Sequence, residues 1–425
     1  MGKLIDDDKD GVEFRTVVNL NDLYSNFTVH QSLFNHYMTL TIHINESKLI
    51  LERFGTGGLQ GEEFIQFKLQ TPTLDILEDL FYVTGYGPIS TDAHDLAHGM
   101  VLKCVSKEKL INDQVTINQS FSGTTSEVAT QIFNNHLKGE KYKLMKTANG
   151  GGKALWKDKE LIVDNSERTE KFIIPGLSPF AAMQFLAVRS FGGSQYPSSF
   201  FSFYEASDGF HFKNIEDWED ETEDYTYTYD SSINDMKPFH KSFFFNIRNM
   251  SPLKIKNTLE GIDNGQFATK IYAIDPYKKS FTTTEYSLLT ERDSFNVLGE
   301  EFTMSSSFFD TFGSDPVEST IAIDSTKESD HIPKIIARRY PYMQVLGHYS
   351  FRITVNGDTR LTAGRIIKLK LKEAGAPEKK SKGSMYSGNW MVTECEHVVD
   401  RGLFVTRLVI VKDGLDFKHT NEGIG

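Results

Sequence analysis

The stretch Tyr37-Met38-Thr39-Leu40-Thr41-Ile42-His43-Ile44 decides the fold. Met38, Leu40, Ile42 and Ile44 fall on one side of an extended chain, and Tyr37, Thr39, Thr41 and His43 on the other. Strict alternation predicts a half-buried β-strand, because successive strand side chains point to opposite faces. Working outward, the glycine-rich segment Gly55 to Gly61 reads as a turn. Ile65, Phe67 and Leu69 then alternate with Gln66, Lys68 and Gln70, and Met100 to Val105 gives a further strand. Residues 13–115 are therefore expected to form one antiparallel β domain behind an acidic arm, residues 1–12.

The same period returns near the other end. Phe351, Ile353 and Val355 alternate with Arg352 and Thr354 before the turn Asn356-Gly357-Asp358. Ile367, Leu369 and Leu371 alternate with Lys368, Lys370 and Lys372, and strands are expected near Asn389–Val398 and Leu403–Val411. Asp275-Pro276 marks a hairpin turn after Ile271–Ile274. A helix is expected from Pro252 to Glu260, and residues 290–330, rich in Ser, Thr, Asp and Glu, read as a polar insertion. Residues 237–415 make the second β domain, followed by a tail, 416–425.

Between them the composition changes. Thr124 and Glu127 have the spacing of a capping box, with Val128, Ile132, Phe133 and Leu137 on one helical face and Gly139 as the stop. Pro179 after Ser178 opens a second helix that ends at Gly192-Gly193. An aromatic strand, Ser199 to Glu205, leads into the turn Ser207-Asp208-Gly209. Residues 116–236 are thus a mixed α/β domain. It closes in Glu216 to Asp224, where seven of nine residues are carboxylates, expected to be a solvated linker.

Composition excludes several functions. The chain has 425 residues, 46 basic and 58 acidic side chains and a net charge of −12, unlike a compact nucleic-acid binder, which needs a basic face. No run approaches 18 apolar residues and no signal peptide is recognisable, so no membrane-spanning segment is expected. Cys104 and Cys395 lie in apolar alternating segments and read as buried reduced thiols, consistent with assembly in a cytoplasm. The abundance of Phe (32) and Tyr (17) favours strands with large packed faces.

No motif supports an active site. His94 and His98 have the spacing of helical zinc ligands, but Asp95 replaces the required Glu and Gly99 leads into a strand. Asp6, Asp8, Asp10 and Gly11 match half a calcium loop whose twelfth position is Val17 instead of Glu. Gly150-Gly151-Gly152-Lys153 lacks the first glycine of a phosphate loop, at Thr147, and its Ser or Thr, at Ala154. Gly55–Gly61 fails the dinucleotide spacing at Gln60. Ser251 and Lys254 match Ser-x-x-Lys, a spacing common by chance, and the lysines of 368–372 and 379–382 read as a solvated face. No catalytic, cofactor-binding or metal-ligating residue is nominated, and no cofactor is expected.

Three stretches carry a resemblance. Residues 27–47 with Gly61-Glu62-Glu63-Phe64-Ile65-Gln66-Phe67 resemble the opening strand pair of the central baseplate hub proteins of contractile-tailed bacteriophages. Leu177 to Met183, with Phe201 to Phe212, is similar to that family's helix, aromatic strand and Asp-Gly turn. Ile353 to Gly364, the lysine-rich strand after it, Ser387 to Val392 and Glu396-His397 resemble its second hub barrel.

The resemblance implies an α+β, mostly β chain: two antiparallel β-barrel-like domains flanking the mixed middle domain, although no sequence repeat relates the two β regions. It implies a homotrimer whose six barrels ring a channel, joining a six-fold tail tube to a three-fold central spike. Further partners would be other baseplate proteins and the tape-measure protein, with DNA passing without specific binding. The location would be the virion tail baseplate, assembled in the host cytoplasm. The runner-up of a related class is the hub-like part of a contractile injection or secretion machine. Readings from another class are a tail-associated cell-wall hydrolase, with two carboxylates about 5–10 Å apart across a cleft, and a carbohydrate-binding tail-tip module with exposed aromatic rings in a groove.

Overall fold

The computed structural model describes residues 3–5, 15–46, 59–61, 63–71, 76–90, 98–139, 158–192, 198–218, 225–229, 244–275, 279–288, 295–299, 317–322, 332–371 and 384–415. The chain is mostly β with helices, as the alternation predicts. A short pair, β1 (Lys3–Ile5) and β2 (Arg15–Val17), precedes the main sheet. Next come β3 (Tyr24–Ser32), β4 (Thr39–Glu46), β5 (Phe64–Leu69), β6 (Leu77–Ser90) and β7 (His98–Ser106). They hydrogen-bond antiparallel in the order β3-β4-β7-β6-β5. Met38, Leu40, Ile42 and Ile44 are buried, while Thr39, Thr41 and His43 on the opposite parity stay partly exposed. Phe27 of β3 meets Phe67 of β5 edge to face, with ring centroids 5.1 Å apart. The first and last strands of this run thus touch across one core, so the sheet is curled around its apolar side.

The middle layer holds α1 (Lys107–Gln114), β8 (Ile117–Gly123), α2 (Thr125–Ile132), β9 (Leu161–Val163), β10 (Glu170–Leu177), α3 (Pro179–Arg189), β11 (Phe201–Ala206) and β12 (Gly209–Asn214). β11, β12 and β9 form a small sheet in which all of β11 and every residue of β12 but Lys213 are buried, polar Ser202, Glu205 and His211 included, while Ile162 of β9 is exposed. Phe201 and Phe203 enter one core with Phe210, Phe212 and α3; Tyr204 and Ala206 enter another. The capping box forms: Thr124 Oγ1 accepts the Glu127 N–H at 3.2 Å, and Glu127 Oε2 accepts the Thr124 N–H at 2.9 Å. Thr124→Ala should therefore cost about 1 kcal/mol in a urea unfolding midpoint. A loss near zero would mean that packing of Val128 and Ile132 holds the helix without its cap.

The last part contains β13 (Thr226–Thr228), β14 (Ile247–Lys254), α4 (Thr258–Asp263), β15 (Ala268–Asp275), β16 (Ser280–Ser287), β17 (Val317–Ala322), α5 (Ile332–Leu346), β18 (Tyr349–Asn356), β19 (Ile366–Lys370), β20 (Gly388–Asp400) and β21 (Leu403–Lys412). β15 pairs antiparallel with β16 across the expected hairpin and parallel with β17, which lies inside the segment expected to be a polar insertion. The helix expected over Pro252–Glu260 is corrected. Pro252 belongs to β14, opposite Phe351, and the helix is only Thr258–Asp263. β14 ends the main strand path, where a missing N–H is tolerated. Helix α5 has no counterpart in the sequence reading, because Pro341 sits inside it and interrupts the helical pattern.

The sheet runs β14-β18-β21-β20-β3-β4-β7-β6-β5, so the two β regions join in one path. β20 makes the join. Its first residues, Gly388–Met391, pair with β19, and after a bulge between Val392 and Glu394 the same strand pairs Glu394–Asp400 with β3. β13 lies parallel to β19, and Thr228 bridges to Asn246 just before β14. Around these strands packs a core with Trp390, Ile353, Leu408 and Ile410.

Candidate functional site

Where the first β region meets the middle layer, five charged side chains are buried together. Asp79 lies on the core-facing parity of β6, Lys107 and Glu108 open α1, Lys159 precedes β9 and Glu205 is on β11. Lys107 Nζ donates to Asp79 Oδ1 at 2.7 Å and stands 2.9 Å from Glu108 Oε1. Lys159 Nζ bridges Asp79 Oδ2 and Glu205 Oε1. The other Glu205 oxygen accepts the Met38 N–H at 2.7 Å and the Ser106 hydroxyl at 2.6 Å. One carboxylate of the middle layer therefore grips the start of β4 and the end of β7.

Burial alone would raise the Asp79 carboxyl, but the ammonium groups of Lys107 and Lys159 outweigh it and hold it at about 2. Burial lowers Lys107, yet Asp79 and Glu108 bring it above its ordinary value. For Glu205, burial and the neighbouring carboxylates Glu108 and Asp79 prevail over Lys159 and push it up. Three carboxylates share two lysines, so Glu205 takes a proton more readily than a free glutamate. Perturbed carboxylates and lysines can mark catalysis. Here none of the five is more than 7% exposed, so no substrate reaches them and the cluster is a fastener.

A second constellation looks catalytic in composition only. Cys395 Sγ lies 3.7 Å from His397 Nε2, because residues two apart on β20 share a face. Both are fully buried. Burial raises the thiol and lowers the imidazole to about 4, so both stay neutral. A cysteine nucleophile acts as thiolate, favoured by partial exposure and positive charge. Cys395 instead donates to the Leu361 carbonyl at 3.3 Å, and His397 Nδ1 pairs with Thr406 Oγ1 at 3.2 Å. This is core packing.

The third cluster fixes residues 295–299. Asp413 accepts the N–H groups of Leu298 and Gly299, each at 2.8 Å, and Asn296 donates to the carbonyls of Glu216 and Trp218. Phe295 stacks on Tyr342 of α5 at 5.2 Å, and Arg338 covers the Phe295 ring. Arg338 Nη2 also reaches Glu216 Oε2 at 3.4 Å. Arg339 donates to the carbonyls of Ser199 and Phe201, tying α5 to the middle layer. Glu216 was expected to be solvated with the acidic run behind it; it is buried. Residues 219–224 lie outside the described residues.

Of the sequence motifs, Asp6, Asp8, Asp10, Gly11, His94, Gly150–Lys153, Lys372 and residues 379–382 lie outside the described residues. Val17, the twelfth position of the calcium spacing, is in β2 opposite Lys3. His98 starts β7 opposite Glu46. Ser251 and Lys254 are both on β14, and Lys368 and Lys370 on β19, with Lys370 exposed. Cys104 and Cys395 are buried free thiols, as expected. Among the described residues no three His, Cys, Asp or Glu side chains are placed to hold a metal ion, and no helix is long and apolar enough to cross a membrane.

No protein-family model matches the sequence, and no curated protein matches it. Solved structures do. The tail protein from Neisseria meningitidis MC58 shares 9% identity over 95% of this chain and 95% of that one, with a TM-score of 0.52. The 43 kDa tail protein of prophage MuSo2 from Shewanella oneidensis shares 9% identity over 95% of this chain and 97% of that one, with a TM-score of 0.50. The chain is thus similar in structure to phage tail proteins over about 95% of its length.

Proposed function

We propose that the chain is a non-enzymatic hub subunit of a phage tail baseplate. Three copies assemble into a ring of six barrel-like units, which joins a six-fold tail tube to a three-fold central spike around a channel for DNA. The two barrel-like units are residues 13–115 and 237–415, with 116–236 as the middle domain, 1–12 an arm and 416–425 a tail. Its partners are its own copies, the spike, the tube and other baseplate proteins, in a particle assembled in the host cytoplasm.

The observation that carries this reading is the branching of β20. One strand gives the same edge first to β19 and then to β3, so two curled β regions share a backbone-bonded seam. The contact of Phe27 with Phe67 and the Thr228–Asn246 bridge support closure of each region around its own core. A seam of this kind fixes the angle between the two units within one subunit, which a six-fold arrangement made from three chains requires. Likeness of fold to two tail proteins over 95% of the chain supports the same reading. The net charge of −12 suits a conduit, since each phosphate neutralised by a basic wall would add affinity and slow passage.

Light scattering of the purified protein, alone and with a candidate spike protein from the same source, tests the assembly. Three subunits of 48.2 kDa give a mass of about 145 kDa, or a three-to-three complex with the spike. A monomer in both samples overturns the ring and makes peptidoglycan hydrolysis the next assay.

A further inference from the structure

Among the exposed large apolar side chains of the described residues, three crowd into one short stretch. Leu253, Ile255 and Leu259 are 49%, 56% and 73% exposed, from the end of β14 to the start of α4. β14 ends the nine-strand path of the eleven-stranded sheet, and along Asn249–Lys254 its backbone pairs, among the described residues, with β18 alone. An open strand edge beside large aliphatic groups is a template for another chain. The surrounding charge is distinctive as well. Residues 247–263 carry Arg248, Lys254 and Lys256 against Glu260 and Asp263, and Arg352 of β18 is exposed opposite Ser251. This is a local excess of positive charge on a chain of net charge −12.

We propose that this patch is where one copy of the chain docks on the next, head to tail. The inference rests on the trimer reading above and names the surface that closes it. Charge selects the occupant: a basic rim is complementary to the acidic remainder of the same chain, so a second copy supplies the opposite sign. Symmetry selects the arrangement. A two-fold contact would set Arg248, Lys254, Lys256 and Arg352 against the same four cations of the other copy, which repel. The patch therefore meets a different, acidic face of its neighbour, and such heterologous contacts close into rings when the rotation allows. A nucleic acid could take the cations, but its phosphates would leave the three aliphatic side chains in water.

The test uses the full chain, with the spike present if the wild type trimerises only then. The double variant Leu253→Glu/Ile255→Glu should reduce the mass about threefold, from trimer to monomer, with an unchanged circular dichroism spectrum and a melt that stays cooperative but no longer shifts with protein concentration. A second variant, Leu259→Cys, reads the surface directly, because the native Cys104 and Cys395 are buried and leave the new thiol as the reporter. Its maleimide labelling should slow at least tenfold at concentrations where the trimer forms. If the double variant remains trimeric and Cys at 259 labels at the same rate in monomer and trimer, the patch is not the contact, while the ring reading stands. A wild type monomeric even with the spike overturns both.

Discussion

Replacing Lys107 with Met should destabilise the protein by about 3–5 kcal/mol, whereas the same replacement at Lys109, two residues on, should cost under about 1 kcal/mol. Both lysines lie on α1 and both face carboxylates. Lys109 pairs with Asp113 across one helical turn, but 55% of the Asp113 side chain is open to water, which screens the attraction. Lys107 has no exposed surface and holds Asp79 and Glu108, which are 1% and 4% exposed. Removing its ammonium leaves those carboxylates with Lys159 alone, and Lys159 must still serve Glu205. The penalty is that of burying uncompensated charge, which is larger than the net worth of the pair. Urea midpoints of the two variants, followed by circular dichroism, measure the difference. Hydrogen exchange should add that amides near Met38 and in β11 become labile in Lys107→Met, since Glu205 links those segments. Equal, small losses in both variants would show that the cluster is hydrated and does not fasten the layers.

That cluster could not be read from the sequence, and the reason is physical. Asp79, Lys107, Lys159 and Glu205 are brought together by contacts that span 28, 80 and 46 residues, and each looks locally like an ordinary surface charge. The strands were legible because alternation is a local property: Leu40, Ile42 and Ile44 are buried as their spacing requires, and so are Ile353 and Val355. The cap of α2 was legible for the same reason, since Thr124 and Glu127 bond within one turn. Sheet order was not. The pairing of β20 with β3 joins residues nearly 370 apart, and only the curled cores on either side fix which edges meet. Pro252 and Pro341 misled in opposite directions. Pro252 followed by Leu, Lys and Ile reads as a helix start but sits in a strand at the end of the sheet path, while Pro341 inside α5 hides the longest helix described. Tertiary packing overrode local preference in both places.

From pH 8 to pH 5 the wild-type protein should keep nearly constant stability, while Glu216→Gln should lose about 2–3 kcal/mol over the same range. Two opposed pairs of buried groups produce the flat profile. Burial raises Glu216 to about 7 against the pull of Arg338, and raises Asp413 to about 6 against the N–H groups of Leu298 and Gly299. As pH falls, the folded protein binds protons at these sites before the unfolded chain does, so acid favours folding; that gain is lost as pH rises through 6 and 7. Burial, with the charge of Lys256, lowers His348 to about 3, and burial lowers His397 to about 4. Their unfolded imidazoles bind protons near 6.5, so stability present above that value is lost as pH falls.

Each pair contributes about 4 kcal/mol between pH 8 and 5, with opposite signs. His36, also lowered by burial, acts with the histidines, and Glu205 with the carboxylates. Asp79, held at about 2, titrates below the window. A glutamine at 216 keeps the shape and can still accept from Arg338, but it takes up no proton, so the histidine slope is uncovered. Urea midpoints at pH 8, 6.5 and 5 for the two proteins make the comparison. A variant as flat as the wild type would mean that Glu216 ionises as a solvated carboxylate, and α5 would then be held by Arg339 and the apolar packing of Tyr342 and Val345 without the Arg338 pair.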